Sequence, residues 1–216
     1  MSRTIKALPG YKYVANFADE PVRLGMIYRM DDEQFIPALH LNDAFPGIDL
    51  SRFVSTGAPG QMKFSRASDV AITLGGSATS KIGKSEIKLS FKRSKSVVGV
   101  LNDAITESLG YENVLPQLKE LWTERGYTKF AKDYVFVFQV VTAASGTMVY
   151  SLESKNEVVL AHALGAPVKS VGELGSGQFE YVSNTKRTLE VIRQVAHRPL
   201  FKAFWFRKGF VPEILG

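Results

Sequence analysis

Two stretches of the chain alternate apolar and polar residues with a period of two. In Asp69-Val70-Ala71-Ile72-Thr73-Leu74, the residues Val70, Ile72 and Leu74 fall on one face. In Glu86 to Lys92 the alternation is sharper, with Ile87, Leu89 and Phe91 opposed by Glu86, Lys88, Ser90 and Lys92. Successive strand side chains point to opposite faces, so each stretch predicts a strand with one apolar face. Between them runs Gly-Gly-Ser-Ala-Thr-Ser-Lys-Ile-Gly-Lys-Ser, a flexible connection. The pair predicts a long hairpin.

The remaining pattern fills in around this hairpin. Tyr11 to Phe17 reads as a short strand after the Pro9-Gly10 turn. Pro21 and Asp31-Asp32-Glu33 mark loops or a helix start. Residues 42–60, with Pro46, Gly47, Gly57, Pro59 and Gly60, predict a long loop. Val97 to Leu109 predicts a strand that finishes as a short helix. Residues 114–125 are the best helix: Pro116 suits the first turn, Leu115, Leu118 and Trp122 keep helical spacing, and Gly126 stops it. Tyr134 to Val141 is aromatic and β-branched, as a buried central strand should be. Ser145-Gly146 predicts a turn, and Thr147 to Glu153 puts Met148, Tyr150 and Leu152 on one face. Glu157 to Ala163, Phe179 with Tyr181, Thr188 to Val195 and Pro199 to Phe206 give further strands. The class is therefore α+β: a twisted, mostly antiparallel sheet with a few short helices. A length of 216 residues suits a single domain spanning 1–216.

Composition narrows the function. With 45% hydrophobic residues the chain can bury a core. It has no cysteine, which excludes disulfides, Cys-bearing zinc sites, Cys nucleophiles and palmitoylation, and suits a reducing compartment. The first residues carry no apolar run of a secretory signal, and position 2 is not the Gly that myristoylation needs. No apolar run is long enough for a membrane-spanning helix, though strands that cross a bilayer leave a weaker trace. The net charge of +6 is uneven: residues 61–100 hold eight Lys/Arg against two Asp/Glu, and residues 186–216 hold seven against two. Two such blocks point to an anionic partner, nucleic acid or lipid head groups, or else to solvated faces.

Catalytic chemistry finds no foothold. Ala78-x-x-x-x-Gly83-Lys84-Ser85 approaches a phosphate loop, but it runs into a strand period where such a loop needs a helix. His40, His162 and His197 keep no metal-ligand spacing. Gly175-Ser176-Gly177 lacks the frame of a nucleophile elbow. Adjacent Asp31, Asp32 and Glu33 cannot all converge on one site. The expectation is a protein that is not an enzyme and needs no cofactor or metal. In the first basic block, Lys81, Lys84, Lys88, Lys92, Arg93 and Lys95 follow or interleave with Ile87, Leu89 and Phe91. Strands of about nine residues, tilted, can cross a bilayer core. On spacing alone, a half-buried hairpin with its lysines on the wet side is favoured. The second block holds Lys186, Arg187, Arg193, Arg198 and Lys202 beside Phe201, Phe204, Trp205 and Phe206. It suits stacking of single-stranded bases, a membrane interface, or the core of a terminal strand.

Taken together, these segments resemble the pore-forming part of gasdermins, the bacterial kind most of all. Gly10-Tyr11-Lys12-Tyr13-Val14 with Pro21-Val22-Arg23-Leu24 looks like that family's first strand and proline-leucine segment. The Val70–Leu74 strand, glycine-rich connection and basic strand ending in Phe91-Lys92 resemble the first membrane-inserting region. Tyr134 to Leu160 resembles the second. Thr188-Leu189 through Pro199-Leu200-Phe201-Lys202-Ala203-Phe204 looks like the closing strand. The resemblance implies a protein that is cytoplasmic while inactive. On activation it would bind anionic lipid of the inner membrane, refold two regions into β-hairpins and assemble a homo-oligomeric pore. The cell then dies, commonly in antiphage defence. It implies anion-binding roles for Lys81, Lys84, Lys88, Lys92, Arg93, Lys95, Lys186, Arg187, Arg193, Arg198 and Lys202. It implies insertion of Val70, Ile72, Leu74, Ile87, Leu89, Phe91, Met148, Tyr150 and Leu152. An activating protease would act on an inhibitory tail, for which residues 208–216 with Val211, Ile214 and Leu215 stand available after a sheet domain of 1–207. The chain departs from the family in lacking the N-terminal Cys that bacterial members palmitoylate. A basic nucleic-acid-binding module is the alternative.

Overall fold

The computed structural model describes residues 5–8, 13–17, 21–31, 34–65, 68–74, 85–124, 133–162, 169–207 and 211–214. The strands are β1 (Ile5–Leu8), β2 (Tyr13–Asn16), β3 (Met26–Asp31), β4 (Gln34–His40), β5 (Val54–Thr56), β6 (Gly60–Ser65), β7 (Val70–Leu74), β8 (Glu86–Phe91) and β9 (Ser96–Leu109). They continue with β10 (Tyr134–Ala143), β11 (Ser145–Ser151), β12 (Asn156–His162), β13 (Phe179–Asn184), β14 (Thr188–Arg193), β15 (His197–Arg207) and β16 (Val211–Ile214). The helices are α1 (Leu41–Ala44) and α2 (Leu115–Glu124), with short 3-10 turns at Leu50–Phe53, Tyr111–Val114 and Val171–Ser176. This is the α+β class, mostly antiparallel sheet, that the alternation predicts. The chain divides into two compact units.

The first unit comprises Met1–Ala58, Ile105–Thr142 and Arg198–Gly216. Here β2 pairs with β1 and β15, and β10 pairs with β3 and with the second half of β9. One core cluster gathers Ile27, Leu41, Leu50, Leu109, Val114, Leu118, Leu121, Phe136 and Phe204, all buried. Tyr111 sets its ring edge-on to Phe204 at 4.9 Å and to Phe138 at 5.3 Å. Of the apolar positions expected on α2, Leu118 is fully buried, as is the neighbouring Leu121, and Leu115 is half-buried. A second cluster holds Val14, Tyr28, Val135, Val137 and Phe201.

Two sequence expectations change in this unit. Residues 42–60 are not one long loop. Leu41 and Ala44 bury one side of α1, whose first turn is capped by His40 Nδ1 accepting from the Asn42 N–H at 3.2 Å. Asp49 caps the next turn, and β5 then pairs with β9. Pro46 and Gly47 punctuate only the connection. At the acidic run, expected as a loop or a helix start, Asp31 starts no helix; it ends β3 opposite Gln34, and Asp32 and Glu33 lie outside the described residues. Val97 to Leu109 does not finish as a helix. The strand stays extended to Leu109 because its later half is paired on both sides, by β10 and β5, and only an extended backbone meets both ladders.

The second unit comprises Pro59–Ala104 and Ala143–His197. In it β11 pairs with the first half of β9 and with β14, and β6 pairs with the other side of β9. A separate four-stranded sheet runs β13-β12-β8-β7. Val98, Val100 and Val149 from the former and Val70, Ile87, Leu89, Phe91, Val158 and Leu160 from the latter share one apolar core. Ser145 and Gly146 are not a turn but open β11, and only a bend falls at Ala144, whose N–H donates to the Asn102 carbonyl at 3.0 Å. Gly146 is there for close approach: a Cβ would stand 2.8 Å from the Val100 carbonyl. Gly177 closes the Val171–Ser176 turn at φ +67°, where a side chain would also collide with the Arg193 carbonyl. β11 departs from the one-faced pattern expected of it. Thr147, Met148, Val149, Tyr150 and Ser151 are all buried, as for a strand covered on both faces. Leu152 lies just beyond its end.

Candidate functional site

The basic excess belongs to the second unit. It holds thirteen Lys/Arg against eight Asp/Glu, whereas the first holds fourteen against thirteen. Its centre is the β7–β8 hairpin. In register, Val70 opposes Phe91, Ile72 opposes Leu89 and Leu74 opposes Ile87, so the two apolar faces coincide. Ile87, Leu89 and Phe91 are 0–1% exposed, while exposure rises along β7 from Val70 (3%) to Leu74 (38%). The other face carries Ala71, Thr73, Glu86, Lys88 and Ser90. Lys88 lies between its apolar neighbours in sequence and points to this wet side, where Nζ meets Glu157 Oε1 of β12 at 2.8 Å. Both partners are nearly half exposed, so the pair contributes at most about 0.5–1 kcal/mol.

At the end of the hairpin, the Lys92 N–H donates to the Asp69 carbonyl at 2.8 Å, and Arg93 pairs with the Asp69 carboxylate at 3.6 Å. Lys92, Arg93 and Lys95 are exposed. Exposed Arg187 and half-buried Lys186 sit on the β13–β14 turn, where Lys186 Nζ donates to the Ser154 carbonyl at 2.7 Å. Arg193 ends β14. The structure therefore brings most of the predicted basic residues onto one unit, but not all. Arg198 and Lys202 belong to the first unit. Arg198 pairs with Glu107 at 3.6 Å and donates to the Val22 carbonyl at 3.4 Å, and Lys202 Nζ lies 4.6 Å above the Tyr13 ring. Lys81 and Lys84, with the rest of the phosphate-loop candidate before Ser85, lie outside the described residues. Ser85 leads directly into β8, a strand.

All but one of the predicted inserting side chains are buried or half-buried in this structure; Leu74 is exposed. Val70, Ile87, Leu89, Phe91, Met148 and Tyr150 are buried, Ile72 and Leu152 half-buried. The candidate tail forms β16, which adds to β15 with Ile214 opposite Phe204; Ile214 is exposed and Leu215 lies outside the described residues. Of the aromatics in the second basic block, Phe201 and Phe204 are core residues. Sequence reading missed the partners Asp69, Glu157 and Tyr13, because each gains its role only through strand register or ring stacking.

The histidines play local roles. His40 Nε2 lies 3.0 Å from the Leu24 carbonyl while its other ring nitrogen caps α1. His162 sets its ring edge-on to Phe179 at 5.2 Å. Among the described residues no cluster of His, Asp and Glu is placed to hold a metal. His197 is depressed below the ordinary imidazole range, first by burial, with Arg193 adding repulsion against hydrogen bonds that favour the charged form. Its Nε2 is buried without a partner. A depressed value means the unfolded chain takes up the proton first as pH falls. Stability from this group is complete above the ordinary imidazole range and is lost as pH drops through the lower folded value. Glu190, raised by burial, acts with the opposite sign at lower pH. Denaturant midpoints at pH 7.5 and 5.5 should therefore fall more for wild type than for His197→Gln. Equal falls would remove His197 from the account.

No family model matches the chain, and no curated protein does. Among solved structures, the chain is similar to the cryo-EM structure of the gasdermin A3 membrane pore. The identity is 9% and the TM-score 0.27, over all of this chain and 87% of that one. No described helix is long and apolar enough to cross a membrane, which leaves strands untouched.

Proposed function

We propose that this protein is a gasdermin-like pore-forming effector. It binds anionic membranes through the basic surface of its second unit, inserts β-hairpins and oligomerises into a pore that kills the cell, in a bacterial antiphage setting. The reading carries with it a cytoplasmic inactive state, an inner-membrane active state and an activating protease. Its support is the ordered likeness of short motifs along the sequence, and one geometric observation above all. The β7–β8 hairpin has a continuous apolar face and a polar, lysine-bearing face, in the unit that holds the basic excess. Such a two-faced hairpin can exchange its protein core for lipid acyl chains without changing its strand register. Ring closure would then remove the unpaired strand edges that lipid does not tolerate. Each Lys or Arg near an anionic surface contributes about 1 kcal/mol of attraction. Of the four aromatics that could stack bases in the nucleic-acid alternative, Phe201 and Phe204 are core residues.

Dye release from vesicles of phosphatidylglycerol with phosphatidylcholine, before and after limited proteolysis, tests the proposal. Leakage is expected from the anionic vesicles, falling at high salt, and little from pure phosphatidylcholine. Leakage under neither condition, or leakage indifferent to lipid charge, overturns it. Salt-dependent binding to single-stranded nucleic acid without leakage would replace it with the alternative.

A further inference from the structure

The four-stranded sheet β13-β12-β8-β7 of the second unit is finished differently at its two ends. One end is closed strand by strand. The Lys92 N–H donates to the Asp69 carbonyl at 2.8 Å, joining the ends of β8 and β7. The Thr185 N–H donates to the Glu157 carbonyl at 2.9 Å, joining those of β13 and β12. Between them Asn156, opposite Phe91, is fully buried and its side chain makes three hydrogen bonds, to Ser151, Thr185 and Lys186.

The other end has no such closure. One step beyond the last strand pair, Ala161 with Glu86, the His162 N–H donates to the Ser85 carbonyl at 2.8 Å. Side chains directly opposite one another share a face of the sheet, and both of these are buried. Neither Ser85 Oγ nor His162 Nδ1 has a hydrogen-bond partner. Close by, the β12–β13 ladder shifts register between Val159 and Leu160 and leaves Val182 unpaired. Exposure along β7 also rises toward this end, to 38% at Leu74 opposite Ile87. A buried polar group without a partner has lost its water and gained nothing in return, and it regains water when the strands part. Parting the Asn156 end breaks bonds that are made; parting the Ser85 end hydrates groups that are stranded.

We propose that this sheet is a one-way latch: β8 separates from β12 starting at the Ser85–His162 end, and the Asn156 end is the hinge. The opening needs no membrane, so it stands or falls apart from the pore-forming reading. Within that reading, it frees first the end at which β7 passes into β8.

Hydrogen exchange of the full chain, followed by NMR, tests it. The bonds of an antiparallel strand alternate between its two neighbours, so the amides of Leu160, Val158 and Asn156 face β8, as that of His162 does. Corrected for intrinsic rates, exchange should slow steadily from His162 to Asn156, with at least about tenfold between His162 and Val158. Ordinary fraying gives a symmetric profile instead, slowest at Val158 and Leu160. The chain has no cysteine, so a disulfide can be placed at either end. Glu86→Cys with Ala161→Cys should slow His162 and Leu160 at least about tenfold, reversibly with reductant, because it closes the opening end. Ser90→Cys with Glu157→Cys, at the hinge, should leave both unchanged. Ser85→Ala should slow His162 by up to about tenfold, because it removes a stranded hydroxyl and keeps the backbone bond. A symmetric profile, equal effects of the two disulfides, or exchange at His162 not slowed by Ser85→Ala overturns the proposal. Where a disulfide does not form, the wild-type profile and Ser85→Ala carry the decision.

Discussion

Leu74→Lys is expected to bind anionic vesicles as well as wild type or better, yet to release dye at least about tenfold more slowly. Leu74 ends β7 on the face shared with Val70 and Ile72, but it is 38% exposed in the folded unit. A lysine there reaches water by extending its stem along the surface, so the cost to folding should stay under about 1 kcal/mol. In an inserted hairpin the same position would face lipid. A lysine on the lipid face of a transmembrane strand costs up to about 2–4 kcal/mol near the bilayer centre and less toward the interface. In an oligomer that cost recurs in every copy. The added positive charge meanwhile strengthens the first attraction to the anionic surface. Binding and insertion are thereby separated within one variant. Ala71→Lys is the matched control: the residue is exposed, sits opposite Ser90 on the polar face, and adds the same charge. It should leak like wild type. Equal leakage from the two variants would remove the β7–β8 face from the mechanism.

The β7–β8 hairpin was legible in the sequence because its signal is local. Period-two alternation in Glu86 to Lys92 needs only a single buried face, and Ile87, Leu89 and Phe91 supply it. α2 was legible for the same reason, with Pro116 opening it and Leu118 and Leu121 directed into the core. β11 and the end of β9 were not, because their environments are set by strands distant in sequence. β11 is covered on both faces, so alternation says nothing about it, and its Gly146 reads as a turn although it marks the close approach of β9. The second half of β9 carries residues compatible with a helix, and only pairing with β10 and β5 holds it extended. The site divides along the same line. Local charge blocks located the lysines. The strand register that sets Lys88 beside Glu157, and the fold that draws Arg198 and Lys202 into the first unit, required the structure.

Asn156→Ala should lower the unfolding free energy by about 3 kcal/mol, the cost of breaking a buried polar network. Asn156 opens β12 and is fully buried. Its Nδ2 donates to Ser151 Oγ at 2.9 Å, and its Oδ1 accepts from the Lys186 N–H at 2.9 Å and from Thr185 Oγ1 at 3.2 Å. Ser151 Oγ in turn donates to the Glu153 carbonyl at 2.7 Å, and the Glu157 N–H donates to Thr185 Oγ1 at 2.9 Å. One side chain thus ties the β11–β12 turn to the β13–β14 turn. Alanine leaves the Lys186 N–H and the two hydroxyls without the amide; Ser151 is buried and Lys186 half-buried, and a buried group so stranded costs about 1–3 kcal/mol. Ser151→Ala, made in the same background, should add much less than its effect in wild type, because both act through one network. The two turns also present Lys186 and Arg187, so the loss should reach the basic surface. Hydrogen exchange at the Lys186 amide should accelerate beyond what the global loss of stability explains. A loss under about 1 kcal/mol, or additive effects of the two substitutions, would mean that water replaces the amide and that the turns are held by their backbone bonds alone.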